Sequence, residues 1–148
     1  MRYLEMEPSH IGGVKKLLDM CFINSAWSEN TIRTQLEKPC SYCTIAKESG
    51  DIIAYLAYEQ IADEGSIIEI AVHPDYRRQG IARELINSAL HNSEGLSEVF
   101  LEVRESNISA RALYESLGFE KLSVRADYYD DPKENAVIMR KIYENSGN

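Results

Sequence analysis

With 148 residues, 24 acidic against 16 basic side chains and a formal net charge of −8, the chain has the size of one globular domain but no basic footprint. Nucleic acid is therefore not an expected partner, because gripping a phosphate backbone takes a broad cationic face. An acidic surface favours instead a cationic acceptor, a basic protein tail or a polyamine.

No apolar run approaches the roughly 20 residues that cross a bilayer, and the segment from Met1 to Pro8 carries no apolar core of signal-peptide length. The expected location is the cytoplasm, with no membrane partner. Three cysteines, Cys21, Cys40 and Cys43, are an odd number, which argues against a disulfide framework. Cys40-Ser41-Tyr42-Cys43 has the spacing of half a zinc site or of a redox pair, but His10, His73 and His91 are scattered and no second pair exists. Reduced thiols and no metal are expected.

In chain order, Met1 to Glu5 can form a strand, and Pro8 suits the start of a helix in which Val14, Leu17, Leu18 and Cys21 share a face. Asn24 to Ser28 reads as a loop, with Ser28 or Asn30 able to cap a helix running to about Glu37. Ser41 to Lys47 and Ile52 to Ile61 read as antiparallel strands joined at Glu48-Ser49-Gly50-Asp51, where Gly50 can take positive φ. Ile67 to Val72 is an apolar run preceded by Gly65 and ended by Pro74; it reads as a buried central strand. Gly80 then opens a helix with Ile81, Leu85, Ile86 and Ala89 at helical spacing. Val99 to Val103 is a further strand, with Val99, Leu101 and Val103 on one face and Phe100 and Glu102 on the other. Asn107 or Ser109 can cap a short helix that Gly118 terminates; strand returns from Phe119, turns at Asp130 to Glu134, and ends with Ala136 to Ile142. One domain over 1–143 and a frayed tail over 144–148 are expected.

The strand, turn and helix around Gly80 carry chemistry. The first turn of a helix presents unpaired N–H groups and the positive end of the macrodipole, so it is an anion site before any side chain is considered. Gly80 opens the backbone, Ala82 keeps the next approach nearly as open, and Arg77, Arg78 and Arg83 add cationic donors. A plain turn with solvated arginines is an equal reading of this stretch alone. It is not a Walker loop, since no Gly-Lys-Ser/Thr follows, and it lacks the three glycines of a dinucleotide fingerprint.

Arg77-x-x-Gly80-x-Ala82 after Ala71-Val72-His73-Pro74 resembles the acetyl-CoA pyrophosphate motif of the GNAT acetyltransferases. A second block, Leu101 to Asn107 followed by Ala112-Leu113-Tyr114-Glu115-Ser116-Leu117-Gly118-Phe119, resembles the closing part of that fold. With Ala26-Trp27-Ser28-Glu29 and Asp127-Tyr128-Tyr129, the likeness extends over nearly the whole chain and toward the RimI-type branch, which acetylates the N-terminal alanine of a small-subunit ribosomal protein.

The resemblance implies an α/β (α+β) fold: a mixed, mostly antiparallel sheet of about seven strands and about four helices, with the fourth and fifth strands splayed beyond Val72 and Glu102. It implies acetyl-CoA as co-substrate, its pantetheine arm paired with Ile70, Ala71 and Val72, and its pyrophosphate on the turn of Arg77, Arg78, Gln79, Gly80, Ile81, Ala82 and Arg83. The Val72 N–H would meet the thioester oxygen. Glu102 maps onto the general base, Tyr114 onto the general acid that protonates the coenzyme sulfur, and Asn107 onto a contact with the coenzyme arm. Read singly, Glu102 could be a solvated strand residue, Tyr114 a helix residue packed on the sheet, and Asn107 only a cap.

Trp27, Tyr128 and Tyr129 would border the acceptor, although a loop Trp is as readily core filler and strand tyrosines pack at edges. Glu69 could orient the acceptor's ammonium, with surface exposure the simpler account. The expected acceptor is a protein N-terminus, in a monomer or weak dimer. The alternatives are a small amine or a protein lysine, and, outside catalysis, a coenzyme-binding sensor without turnover.

Overall fold

In the computed structural model, which describes residues 1–22 and 27–143, alternation and capping signals become regular elements. The strands are β1 (Arg2–Glu5), β2 (Ser41–Glu48), β3 (Asp51–Ile61), β4 (Glu64–Val72), β5 (Glu98–Arg104), β6 (Glu120–Tyr129) and β7 (Glu134–Ile142). The helices are α1 (Ile11–Cys21), α2 (Glu29–Glu37), α3 (Ile81–His91) and α4 (Ile108–Ser116). Hydrogen bonding orders the seven strands β1-β2-β3-β4-β5-β7-β6 in one sheet, with β4 and β5 parallel and the β1/β2, β2/β3, β5/β7 and β6/β7 pairs antiparallel. This is the mixed sheet with four helices that the sequence led us to expect. The tail from 144 and the loop residues 23–26 lie outside the described residues.

Internal packing resolves two units, Met1–Gln60 with Ile68–Ser93, and Ile61–Ile67 with Glu94–Asn148. In the first, α1 buries Ile11, Val14, Leu17 and Leu18, at positions three or four apart, in a cluster with Ile32, Ile45, Tyr55 and Ala71. Each such side chain contributes about 1.5–3 kcal/mol on leaving water. The helix starts later than Pro8 because Pro8–His10 forms a tighter 3-10 turn, in which the Glu7 N–H donates to His10 Nδ1 at 2.9 Å.

Ser28 caps α2, its Oγ accepting from the Thr31 N–H at 3.1 Å. The far end of α2 is tied to the sheet by buried Gln35, whose Nε2 donates to Glu59 Oε2 at 2.7 Å and Ser41 Oγ at 3.1 Å. At the β2/β3 hairpin Ser49 and Gly50 both have positive φ, 51° and 85°, the pattern of a type I′ turn, so the non-glycine residue shares the left-handed geometry expected of Gly50 alone.

In the second unit, β4 begins at Glu64 rather than at the apolar run, since Glu64, Gly65 and Ser66 pair with Glu98, Val99 and Phe100 of β5. Backbone pairing here outweighs the low strand propensity of Gly65. Val99, Leu101 and Val103 are buried and Glu102 is exposed, as the alternation predicted. Asn107 caps α4, its Oδ1 accepting from the Ala110 N–H at 3.2 Å, and Gly118 follows the helix at φ 97°. Two register shifts, at Lys121/Ser123 and Arg125/Tyr129, interrupt the β6/β7 pairing, and Asp127 takes φ 52° in the second.

Candidate active site

The anion-binding turn lies wholly in the first unit. Pro74–Tyr76 forms a 3-10 turn after β4, and Gly80 stands at the N-cap of α3 with φ 79° and ψ 12°, offering no side chain to the first helical N–H groups. A Cβ there would meet no atom within 4 Å, so the glycine serves the left-handed backbone and an open approach from solvent. Arg78 shares the left-handed geometry at φ 64°. Arg77, Arg78, Gln79, Gly80 and Arg83 are exposed, Ala82 is half-buried and Ile81 is packed inside. The turn thus fits an anionic ligand: open helix N–H groups, a local dipole, and arginines beside it.

Arg77 also has a structural contact. Its Nε donates to the Val72 carbonyl at 3.1 Å, and the Cys21 thiol donates to the same oxygen at 3.4 Å. The turn is therefore fastened to the end of β4, whose Ile70, Ala71 and Val72 lead directly into it.

Three residues before Val72, Glu69 is half-buried, where surface exposure was the simpler expectation. Its Oε1 accepts from the Ile70 N–H at 3.0 Å, and burial, only partly offset by that hydrogen bond, pushes the carboxyl pKa up to about 7. Its charge is felt by two other groups. Burial raises the Tyr55 hydroxyl far above its usual range, with Cys43 and then Glu69 adding to the effect. Burial likewise raises the Cys21 thiol, opposed by Arg77 and reinforced by Glu69. Trp27 meets the Tyr55 ring edge-on, with centroids 6.4 Å apart. The end of α1, the residue before the α2 cap, β3 and β4 thus bring Cys21, Trp27, Tyr55 and Glu69 into one group.

In the second unit Glu102 is also engaged. Arg125 Nη1 lies 3.6 Å from Glu102 Oε1, and the Arg125 guanidinium stacks over the Tyr128 ring at 4.5 Å from its centroid. The Tyr128 hydroxyl donates to Glu102, which raises its pKa more than burial or the carboxylate charge does, while Arg125 lowers it. Tyr129 packs edge-on against Tyr128 at 5.1 Å and carries Arg104 over its face at 4.5 Å. Arg104 in turn donates to the Pro132 carbonyl at 2.9 Å and the Asp130 carbonyl at 3.0 Å, so the β6/β7 turn is held from β5. Tyr114 is buried on α4, edge-on to Phe119 at 6.1 Å.

Sequence reasoning gave Cys21, Tyr55, Arg125 and Arg104 no part in the site. Tyr55 sits in an apolar strand and reads as core, and Arg125 would face away from Tyr128 in a regular strand. Arg125, paired with Ala136, already shares the face of Glu102, which pairs with Ile138; the register shift between Arg125 and Tyr129, with Asp127 left-handed, brings Tyr128 to that face as well. Cys21, Cys40 and Cys43 are free thiols. Among the described residues no group of His, Cys, Asp and Glu could hold a metal ion, and no helix is long and apolar enough to cross a membrane.

The Acetyltransferase (GNAT) family profile matches residues 13–119. The [ribosomal protein bS18]-alanine N-acetyltransferase of Escherichia coli K12 is 39% identical over 118 residues, covering 76% of this chain and 78% of the relative. The protein of the same description from Haemophilus ducreyi is 34% identical over 119 residues, covering 76% and 81%. The crystal structure of the ribosomal-protein-S18-alanine N-acetyltransferase from Escherichia coli matches with a TM-score of 0.86 at 29% identity, over 98% of this chain and 97% of that one.

Proposed function

This chain belongs to the acetyltransferase (GNAT) family and is an acetyl-CoA-dependent N-acetyltransferase, and we propose that its acceptor is a protein N-terminus, foremost the N-terminal alanine of ribosomal protein bS18. The observation that carries the reading is the likeness, at 39% identity over 76% of the chain, to an enzyme named for that acceptor. The formal charge of −8 supports it, since an acidic surface attracts a basic ribosomal protein. Ribosomal proteins are made in the cytoplasm, which is where we locate the enzyme.

The roles follow from residue type and surroundings. Backbone N–H groups from Gln79 to Arg83, with Arg77 and Arg78 beside them, hold the pyrophosphate of acetyl-CoA. Ile70, Ala71 and Val72 pair with its extended arm, as a strand edge pairs with a peptide, and Asn107 contacts the arm beyond its capping bond. The Val72 N–H donates to the thioester oxygen, on which negative charge develops as the amine attacks. Glu102 accepts a proton from the attacking nitrogen, and Tyr114 protonates the departing sulfur. Trp27, Tyr128 and Tyr129 border the acceptor, and Glu69 faces its amine. An α-amine suits this machinery: its pKa lies near 7.7–8.0 against about 10.4 for lysine, so freeing it at neutral pH costs roughly 3 kcal/mol less.

The test offers acetyl-CoA with two peptides and follows CoA release. One begins Ala-Arg with its lysines blocked; the other has a blocked N-terminus and free lysines. Turnover of the first alone is expected. Turnover of the second alone overturns the acceptor, and turnover of neither moves the search to small amines.

A further inference from the structure

Tyr128 and Tyr129, proposed above as the acceptor's border, stand on a stretch of β6 that its neighbour in the sheet does not hold. β6 pairs with β7 at Arg125↔Ala136 and again at Tyr129↔Glu134, so Asn135 alone faces the three residues Ala126, Asp127 and Tyr128. A ladder of backbone hydrogen bonds cannot match three residues to one, and Asp127 turns left-handed within the gap, at φ 52°. Such a stretch keeps one shape only if side chains supply the hydrogen bonds that the ladder lacks.

Three side chains do so. Asn135 Oδ1 accepts from the Asp127 N–H at 3.0 Å, which fixes the residue just before Tyr128. Arg104, the last residue of β5, spans the turn that follows Tyr129. Its Nη2 donates to the Asp130 carbonyl at 3.0 Å, its Nη1 to the Pro132 carbonyl at 2.9 Å, and its guanidinium lies 4.5 Å from the centroid of the Tyr129 ring. Glu134 orients that guanidinium: its Oε1 accepts from Arg104 Nη1 at 3.3 Å, while its Oε2 accepts from the Ser106 N–H at 2.6 Å, two residues past β5. The Glu105 N–H also donates to the Asn135 carbonyl at 3.1 Å, so Glu134 and Asn135 are both fastened to the chain just after β5.

We infer that Arg104, Glu134 and Asn135 are positioning residues for the acceptor, a role that rests on the border proposed above: they set Tyr128 and Tyr129 in place before the acceptor arrives and so lower its KM without taking part in the chemistry. Without them, each incoming peptide would have to order the wall as it bound, and that entropic cost would weaken its affinity.

The residue types suit the task. A guanidinium is a rigid fork of five donors, able to serve two carbonyls and a carboxylate while lying over a ring, whereas a lysine ammonium is a compact point charge. A carboxylate has two acceptor oxygens, and Glu134 gives one to Arg104 and the other to Ser106. These contacts belong to the second unit and the turn assigned to the pyrophosphate to the first, and neither Glu102 nor Tyr114 takes part in them. The effect of breaking them should therefore fall on the acceptor alone.

The test compares initial rates, with acetyl-CoA and the Ala-Arg peptide each varied, in wild type and three variants. Arg104→Lys keeps a cation near Tyr129 but cannot reach all of its acceptors; Asn135→Ala removes the oxygen that Asp127 uses, and Asn135→Asp restores one. We expect Arg104→Lys and Asn135→Ala each to raise the peptide KM about tenfold, with kcat and the acetyl-CoA KM within about twofold of wild type, and Asn135→Asp to recover most of the loss. In the enzyme without ligands, the Asp127 amide should be protected from hydrogen exchange and should lose that protection in Asn135→Ala. If Arg104→Lys does not fold, the two Asn135 variants decide. An unchanged peptide KM in the variants that fold would overturn the inference while leaving the acceptor intact. Equal losses in kcat, acetyl-CoA affinity and peptide affinity would mean a general structural role and would overturn it too. No turnover of the peptide by wild type would overturn the acceptor reading and this one with it.

Discussion

Arg125 holds Glu102 from two strands away: its Nη1 lies 3.6 Å from Glu102 Oε1, although β7 separates β6 from β5 in the sheet. The register puts both on one face, since Arg125 pairs with Ala136 and Glu102 with Ile138, two residues apart on β7, and the contact leaves the proposed base paired with a cation. Both partners are solvent-accessible, at 59% and 35%, so the pair adds little to stability.

That pairing makes Arg125→Gln informative. The melting temperature should change by no more than one or two degrees, as for a solvated ion pair worth less than about 1 kcal/mol. Removing a cation beside the acceptor should help a basic peptide, and we expect its KM to fall roughly two- to fivefold, the equivalent of about 0.5–1 kcal/mol. Steady-state kinetics with the Ala-Arg peptide check this, and a raised KM would mean that Arg125 positions Glu102 rather than competing with the acceptor.

Glu102→Gln and Tyr114→Phe separate chemistry from binding. Each should lower kcat by about a hundredfold to ten-thousandfold, the range for loss of one acid or base. Acetyl-CoA affinity should stay nearly unchanged. Tyr114→Phe keeps the ring that packs edge-on to Phe119, so its stability should remain close to wild type. Calorimetric titration with CoA and single-turnover rates make the comparison. Wild-type rates in both variants would remove the assigned roles.

Gly80→Ala tests the turn. The added methyl would meet nothing within 4 Å, so any effect comes from the backbone, which stands at φ 79°. Holding alanine there costs about 1–2 kcal/mol, and relaxing that strain rotates the N–H groups at the head of α3. We expect a few degrees of lost thermal stability and a roughly tenfold weaker acetyl-CoA affinity, with kcat at saturation nearly intact. An unchanged affinity would show that the helix terminus does not hold the pyrophosphate.

The legible parts of this protein are those whose causes are local. Pro74 and Gly80 bracket the turn, Asn107 and Gly118 bracket α4, and the alternation of Val99, Leu101 and Val103 fixes which way Glu102 points. Motif residues then pointed to the coenzyme and to the pair proposed as base and acid. The surroundings of the carboxylates were not legible. The charge of Glu69 acts on Tyr55 and Cys21 only after β3, β4 and the end of α1 have come together. Arg125 meets Glu102 only once β7 has set the register of β5 and β6, and Tyr128 joins them only through the irregular stretch that follows Arg125. The later start of α1 has the same origin, since it depends on the His10 side chain turning back to the Glu7 N–H.

The Glu69 environment should also be visible in stability. Its carboxyl pKa rises from about 4.3 in the unfolded chain to about 7 in the folded one, because burial disfavours the charged form. Between these values the folded state binds more protons than the unfolded state, so stability falls as pH rises through the interval and is flat on either side. At about 1.36 kcal/mol per pH unit, the upper bound of the loss across that interval is about 3.7 kcal/mol. Glu69→Gln carries no charge and escapes this cost. The two proteins should therefore melt alike near pH 4, and the variant should melt several degrees higher at pH 8. Thermal unfolding at the two pH values decides the matter. A constant difference would mean that Glu69 is solvated, whereas a difference that opens with pH would mean that the enzyme retains a destabilising charge on the strand proposed to hold the coenzyme arm.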